Sequence, residues 1–264
     1  MLRIFSYLPN PRVWKSLIAA EYCGVEIEVV GAKPAELGRW LWDFDARPME
    51  EHERNPHSPH ARLSRRGFSG TIYKTEAFLH AHPFGTVPAA FADQGQVGIF
   101  ESNSILRAVA REGREVAPLY GRTDAQASRI DSFLDADLVF SREAQVYLLG
   151  MDDPKAAVVE RMAAAYEFYL AGIEATLSQT PFLCGSEITS ADISFVCDFA
   201  QFLREGHYKE ALREAGFSLV SEHGMTEYPR AFQLMLDLSQ TPEFAKHMGN
   251  YLNWFRREIG VADG

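Results

Sequence analysis

Two segments of the sequence place polar side chains where a helix is predicted to begin. Ser102 follows the apolar run Gln96–Phe100 and opens a helical run, and Asn10 precedes Pro11 at another helix start. Free backbone N–H groups at a helix N-terminus attract anions, and a hydroxyl or amide beside them can add a hydrogen bond. Taken alone, however, the residues favour a role for Ser102 as a simple helix cap, and Asn10 is a plausible cap of its helix as well.

Other reactive residue types have a structural interpretation. Thr189-Ser190-Ala191-Asp192 has the Thr-x-x-Asp pattern of a capping box, which predicts a structural and not a catalytic role. The histidines show no His-x-x-x-His spacing with a carboxylate, so no metal site is predicted. The three cysteines are an odd number without CxxC spacing, which favours a reducing, cytoplasmic location over a disulfide framework; they are Cys23, Cys184 and Cys197.

The composition is that of an ordinary globular protein. Of 264 residues, 47% are hydrophobic and 23% charged, which suits one large domain or two modest ones. The formal net charge of −10, from 26 Lys and Arg against 36 Asp and Glu, disfavours nucleic acid as a partner. No run approaches the ~20 apolar residues of a membrane span. Arg3 interrupts the apolar start of the chain, so this start predicts a strand and not a signal peptide.

The first part of the chain alternates between strand and helix patterns. Two strands flank a helix that Asn10 caps and Gly24 ends, which predicts a parallel βαβ unit. A second helix, a hairpin with a turn at Asp93–Gly95, and a third helix follow. The predicted elements are strand Leu2–Ser6, helix from Pro11, strand Glu26–Val30, helix Thr75–His82, strands within Pro83–Phe91 and Gln96–Phe100, and a helix from Ser102.

A polar stretch interrupts this pattern. Gly38–Trp42 is compatible with a short helix, and residues 43–70 are proline-containing and polar, which predicts a long loop. From Thr123 onward the strand signals disappear and only helical runs remain. The sequence therefore predicts an α/β domain over residues 1–112, with an insert at about 43–70, and an all-helical domain over residues 122–264. The predicted helical runs are Thr123–Leu149, Asp153–Leu177 and others that begin near Thr189, Pro229 and Pro242.

Two motifs resemble those of the glutathione transferase superfamily. Phe84-Gly85-Thr86-Val87-Pro88-Ala89, followed by Phe100-Glu101-Ser102-Asn103-Ser104-Ile105, is similar to the family's glutathione-site signature. Phe182-Leu183-Cys184-Gly185 with Ile188-Thr189-Ser190-Ala191-Asp192-Ile193 resembles the box that opens its central helix. The resemblance implies a thioredoxin-like domain with a mixed four-stranded sheet, an all-helical second domain, glutathione as co-substrate, and a homodimer or a heterodimer with a related chain.

The resemblance also assigns roles to individual residues. It implies that Pro88 is cis and that the backbone of Val87 pairs with the cysteinyl backbone of glutathione. Ser102 would hold the γ-glutamyl carboxylate and Glu101 the amine of the same residue. For the residue that activates the thiol, we expect Asn10 first and Tyr7 second. Because strand alternation separates Tyr7 from its neighbour Ser6, a buried Tyr7 is the open alternative.

Two narrower resemblances leave the function open. The first, to the transferase-like domain of translation elongation factor 1B gamma, implies a non-catalytic interaction module. The second, to bacterial glutathione transferases that cleave β-aryl ethers of lignin, implies attack of the thiolate on an aromatic electrophile.

For the insert over residues 43–70, the sequence leaves two interpretations open, a solvated loop or a lid over the site. In a lid, Arg62, Arg65 and Arg66 would meet an acidic group of the ligand. Trp40 and Trp42, just before the insert, would line the acceptor pocket.

Overall fold

A computed structural model of the protein describes residues 1–64, 68 and 70–260. The chain divides into two compact units, Met1–Gly113 and Arg114–Gly264. The first unit ends one residue after the predicted end of the first domain. Arg65 and Arg66, two of the three basic residues assigned to the insert, lie outside the described residues.

The first unit is built on a mixed four-stranded sheet, as predicted. Its strands lie in the order β2-β1-β7-β8, with β1 parallel to β2 and antiparallel to β7. The β7–β8 hairpin turns at Asp93–Gly95, where the sequence predicted it. The elements described in this unit are β1 (Leu2–Tyr7), α1 (Pro11–Cys23), β2 (Ile27–Ala32), β3 (Trp40–Trp42), β4 (Arg47–Pro48), β5 (Ala61–Leu63), β6 (Thr71–Lys74), α2 (Glu76–Ala81), β7 (Ala89–Ala92), β8 (Val97–Phe100) and α3 (Ser102–Glu112).

Local chemistry determines where α1 starts and stops. The side chain of Asn10 accepts a hydrogen bond from the Arg12 N–H, and Pro11 occupies the first turn, where a missing N–H costs nothing. Gly24 ends the helix with φ 64°, a left-handed conformation that glycine adopts without steric penalty. Both predicted ends of this helix are confirmed.

A second four-stranded sheet includes two strands of the insert, β4 and β5, so the predicted polar loop over residues 43–70 is wrong at these positions. Its strands lie in the order β4-β3-β6-β5, with β3 parallel to β6. The short helix predicted over Gly38–Trp42 is also wrong, since only Leu37–Arg39 forms a 3₁₀ turn and Trp40–Trp42 is β3. These strands are two to four residues long, too short to show a clear period in the sequence.

The two sheets of the first unit share one hydrophobic core. Trp42 is 1% exposed and its indole Nε1 donates to Leu37 O over 3.0 Å. Its ring lies edge-on to Phe5 of β1 at 5.4 Å and to Phe78 of α2 at 5.9 Å. Trp42 is therefore a core residue, and its predicted role as a pocket wall is wrong. Trp40 is half-buried and packs against the same core.

The second unit is helical, as predicted. Its central helix α6 is almost completely buried, which explains its nearly continuous run of apolar and small residues. In the part of the chain that the structure describes, no helix is long and apolar enough to cross a membrane. The helices described here are α4 (Asp124–Leu149), α5 (Ala156–Leu177), α6 (Ser190–Phe202), α7 (Lys209–Glu214), α8 (Gly224–Glu227), α9 (Pro229–Leu238), α10 (Pro242–Met248) and α11 (Asn253–Glu258).

Candidate functional site

The turn between β1 and α1 fixes the side chain of Asn10. Its Oδ1 accepts from the Arg12 N–H at 3.0 Å, and its Nδ2 donates to Ser6 Oγ at 3.0 Å. Because the Arg12 N–H is a donor, the amide oxygen must face it, and this determines which way the amide points. The second hydrogen of Nδ2 has no acceptor among the described residues. Asn10 is 1% exposed, so a ligand would reach this N–H only at close contact.

Tyr7 lies on the other side of β1 from Ser6. Ser6 is completely buried, whereas Tyr7 is partly exposed and packs against the edge of the shared core. The side chains of Ser6 and Tyr7 thus point to opposite faces of β1, as the sequence predicted, and it is Ser6 that lies on the buried face. A buried Tyr7, the alternative that the sequence left open, is wrong.

Val87 presents an unpaired backbone beside a cis proline. The Val87–Pro88 peptide bond is cis, as the family resemblance implied, and β7 begins directly after it at Ala89. No hydrogen bond joins the Val87 N–H or C=O to another residue in the described part of the chain. Since backbone polar groups in folded proteins are nearly always paired, this backbone can accept an added strand.

Ser102 opens α3 without capping it. It is 6% exposed and is the first helical residue, and its hydroxyl and N–H have no protein partner within the described residues. The N-cap position belongs to Glu101, whose side chain makes no capping bond. Ser102 as a helix cap, the alternative left open above, is therefore wrong. An unsatisfied hydroxyl beside the positive end of an 11-residue helix can hold a carboxylate.

Glu101 has an unusual backbone. Its φ is 67° and its ψ is 127°, and its side chain is exposed. A residue other than glycine in such a conformation costs about 1–3 kcal/mol, and such strain concentrates at functional sites. The kink directs the chain from β8 into α3 and leaves the Glu101 carboxylate in solvent beside Ser102, where it can meet a cation.

Lys74 is a candidate site residue that the sequence analysis missed. Its Nζ donates to Gly85 O at 2.6 Å, two residues before Val87, and lies 4.7 Å from the centre of the Trp42 ring. Burial, and then the charge of Arg62, lower the pKa of this ammonium group below its usual value. In the sequence, Lys74 is the only charged residue of its strand and directly precedes Thr75, the cap of α2, but nothing local connects it to Gly85.

Arg62 is the one member of the predicted basic group that the structure describes. Its guanidinium donates to Pro59 O and Ala61 O and forms an ion pair with Glu76, the first residue of α2. Glu76 is largely exposed, and exposed ion pairs contribute little to stability. Arg62 is thus held near α2 by contacts that a competing anion could replace.

The capping box of the second unit is structural, as predicted. The N–H and the Oγ1 of Thr189 each donate to Asp192 Oδ2 at 2.8 Å, and the Leu183 N–H donates to Oδ1 at 2.8 Å. Burial raises the pKa of Asp192 to about 6. Asp192 therefore fastens the segment before α6 to the first turn of that helix.

The cysteines and histidines form no metal-binding group in the described residues. Cys23 and Cys197 are buried, and Cys184 is partly exposed; burial raises the pKa of Cys23 and of Cys184 to about 11. His82 is packed between Phe78 and Phe91, and burial lowers its pKa to about 4. The thiols of Cys23 and Cys184 are therefore protonated near neutral pH, and His82 is neutral there.

The chain is similar in sequence to proteins named elongation factor 1-gamma. It is 29% identical over 198 residues to elongation factor 1-gamma of Homo sapiens, which covers 74% of this chain and 37% of that protein. It is 26% identical over 246 residues to elongation factor 1-gamma 1 of Oryza sativa, with 91% of this chain and 47% of that protein covered. The chain thus spans less than half the length of these relatives. No known protein-family profile matches it.

Comparison with solved structures establishes the fold. Glutathione transferase F2 from Populus trichocarpa aligns with TM-score 0.64 at 17% identity and covers 94% of this chain and 97% of that one. A glutathione S-transferase from Methylobacillus flagellatus with glutathione bound aligns with TM-score 0.63 at 13% identity, covering 94% and 98%. At such identities the likeness concerns the fold, which agrees with the fold class predicted from the sequence.

Proposed function

We propose that this chain, which has the fold of glutathione transferases, binds glutathione in its first unit and uses the thiolate as a nucleophile. The observation that carries the proposal is that neither the Val87 backbone nor the Ser102 hydroxyl has a hydrogen-bond partner among the described residues. Glutathione is an extended peptide with a backbone to pair and carboxylates at both ends. Its cysteinyl residue would add to the strand edge at Val87, and its γ-glutamyl carboxylate would lie at the N-terminus of α3.

The remaining site residues would serve the other groups of glutathione. Glu101 would accept the γ-glutamyl amine, since its carboxylate is exposed next to Ser102. Lys74 would meet the glycyl carboxylate, because its ammonium lies against Gly85 near the Val87 strand edge. The free N–H of Asn10 would donate to the thiolate and lower its pKa; Tyr7 is the second candidate for this role.

The reaction would be attack of the thiolate on an electrophilic carbon of an aromatic substrate. In the β-aryl ether version, the sulfur forms a bond to the carbon α to a ketone while the carbon–oxygen bond breaks, and the phenolate leaves with the electron pair. The protein would contribute alignment and thiolate stabilisation. Calorimetry with glutathione tests binding. Turnover with a chloroaromatic and with a β-aryl ether ketone then tests the chemistry and separates the two substrate classes.

A second candidate function is a non-catalytic interaction module. The similarity to elongation factor 1-gamma over 74% of the chain favours it. Such a module would assemble with other proteins and show no turnover with either substrate, even where glutathione binds. Turnover that is lost when Ser102 is replaced would exclude a non-catalytic interaction module as the sole function of the chain.

We also propose that the chain works as a dimer, with itself or with a related chain. Light scattering at micromolar concentration would give about twice the chain mass of 29.7 kDa for a homodimer. A mass near that of one chain would exclude a stable homodimer and leave the heterodimer to be tested by mixing with the related chain.

A further inference from the structure

The second unit contains an open cavity of about 220 Å³. It is bordered by the first half of α4, by the C-terminal end of α5 with the residues after it, and by the segment before α6. One water molecule occupies about 30 Å³ of the liquid, so the cavity has room for about seven waters or for one molecule of amino-acid size. Its lining residues all belong to the second unit, and it shares none with the proposed site at Val87 and Ser102.

Arg129 of α4 gives this cavity a positive charge. It is the one charged residue among the described residues that line the cavity, so no lining carboxylate neutralises it there. Its guanidinium lies 4.6 Å from the centre of the Phe133 ring, one helical turn further along α4. A guanidinium that rests on an aromatic face still has its N–H groups at the edge of its plane, where a ligand can accept them. The cavity is therefore suited to a small anion.

Two threonines in the cavity wall add the opposite hydrogen-bonding capacity. Thr176 Oγ1 donates to Gly172 O at 2.9 Å, and Thr180 Oγ1 donates to Phe182 O at 2.7 Å. A hydroxyl has a single hydrogen, so each of these oxygens can only accept from a ligand. A sulfate ion, which carries no hydrogen, would leave these acceptors unused. A ligand that has a carboxylate and also an N–H donor would use both kinds of group.

We propose that this cavity binds a small α-amino acid: its carboxylate pairs with the guanidinium of Arg129, and its ammonium group donates to the hydroxyl oxygens of Thr176 and Thr180. Guanidinium and carboxylate are both planar and match in a pair of parallel hydrogen bonds. Leu183, an apolar residue of the same wall, provides a contact for an aliphatic side chain. The inference does not depend on glutathione binding, because it uses residues of the second unit only.

Calorimetry with three related compounds tests the site. L-Leucine carries both charged groups, 4-methylpentanoate lacks the ammonium group, and leucinamide lacks the carboxylate. We expect L-leucine to bind to the wild-type protein and both analogues to bind more weakly. Arg129→Met should weaken L-leucine about tenfold or more, since a charged interaction is lost. Arg129 is exposed, so this variant should keep the fold; Arg142→Met, exposed on the same helix but outside the cavity wall, is the matched control and should leave the affinity unchanged.

A second variant tests the ammonium group separately. Thr176→Val combined with Thr180→Val removes both acceptor oxygens at nearly constant side-chain volume. It should weaken L-leucine several-fold and leave 4-methylpentanoate unchanged. The inference is overturned if L-leucine does not bind to the wild-type protein, if Arg129→Met binds it as tightly, or if the double variant weakens both compounds equally or neither. Failure of the protein to bind glutathione would overturn the proposed function and leave this inference standing.

Discussion

Asn10 donates its side-chain amide to the hydroxyl of Ser6, four residues earlier, across the turn that joins β1 to α1. The same side chain accepts the Arg12 N–H, so both of its ends are fixed. A side chain held in this way needs no reorganisation before it donates its remaining hydrogen. Such preorganised donors are effective in stabilising an anion that forms during a reaction.

Asn10→Ala should raise the pKa of the thiol of bound glutathione, because a donor to the thiolate is lost. Turnover should fall at neutral pH while affinity for glutathione stays nearly constant. The thiolate absorbance as a function of pH measures the shift. The variant should also lose about 1 kcal/mol of stability with the helix cap.

Asn10→Asp separates the two effects, since aspartate retains the capping oxygen but provides no amide donor. The free energy of unfolding of this variant should match that of the wild type, while the pKa of the bound thiol should still be raised. If Tyr7→Phe alone gave the shift and both Asn10 variants did not, Tyr7 would be the activating residue and our order would be reversed.

Ser102→Ala should weaken glutathione binding by roughly 1–3 kcal/mol, because a charge-assisted hydrogen bond to a carboxylate is removed. Calorimetry provides the measurement. Ser104→Ala, two residues further along the same helix, is the matched control and should change affinity by less than about 0.5 kcal/mol. Unchanged affinity in Ser102→Ala would remove Ser102 from the site.

Lys74→Met should weaken binding of glutathione but not of its glycyl ethyl ester, which lacks the charge that Lys74 is proposed to meet. The methionine keeps a long apolar stem against Trp42, so the fold should be retained. The measurement is the dissociation constant of each variant for glutathione and for the ester. A loss of affinity for the ester as large as for glutathione would assign Lys74 to the support of the Gly85 loop.

Neutralising Arg62, Arg65 and Arg66 together should raise KM for glutathione or for an acidic substrate. The effect should shrink at high salt, because charges at the surface are screened. Steady-state kinetics at two ionic strengths tests this. Replacement of Arg47, which pairs with Glu53 on the same insert, is the control. Unchanged kinetics at low ionic strength would show that the arginines have no part in binding.

The capping box should leave a signature in the pH dependence of stability. Burial raises the pKa of Asp192 from 3.8 to about 6, so the folded state binds this proton more tightly than the unfolded chain. The resulting stabilisation is fully present below the unfolded pKa and is lost as pH rises through about 6; it amounts to roughly 3 kcal/mol. Urea unfolding between about pH 4 and pH 7 should therefore show a flatter profile for Asp192→Asn than for the wild type. Parallel profiles would contradict the raised pKa.

The elements predicted correctly are those whose signals lie within a few residues. The cap at Asn10, the stop at Gly24, the hairpin turn at Asp93–Gly95 and the box at Thr189 each depend on local backbone chemistry. Val87 and Ser102 were named from the sequence through the family motif, and their role in ligand binding stays a prediction.

The second sheet and its lysine could not be predicted in this way. Leu41 of β3 pairs with Tyr73 of β6, 32 positions later, and the strands on both sides are too short to show an alternation. Polar residues dominate the composition of residues 43–70, although Phe44 and Phe68 of this segment pack against the shared core. Lys74 reaches Gly85 only because this long-range pairing places it there.

The shared core around Trp42 has a consequence for engineering. Residues 37–74 contribute Leu37, Trp42 and Ile72 to the interior that also encloses Phe5 and Phe78. A shortened protein with this segment replaced by a tight linker would uncover Phe5 of β1 and Phe78 of α2, and we expect it to aggregate. Because of this shared core, we expect the segment to unfold together with β1, so that it could not be exchanged between homologues like a surface loop. Amide hydrogen exchange should accordingly be as slow in β3 as in β1.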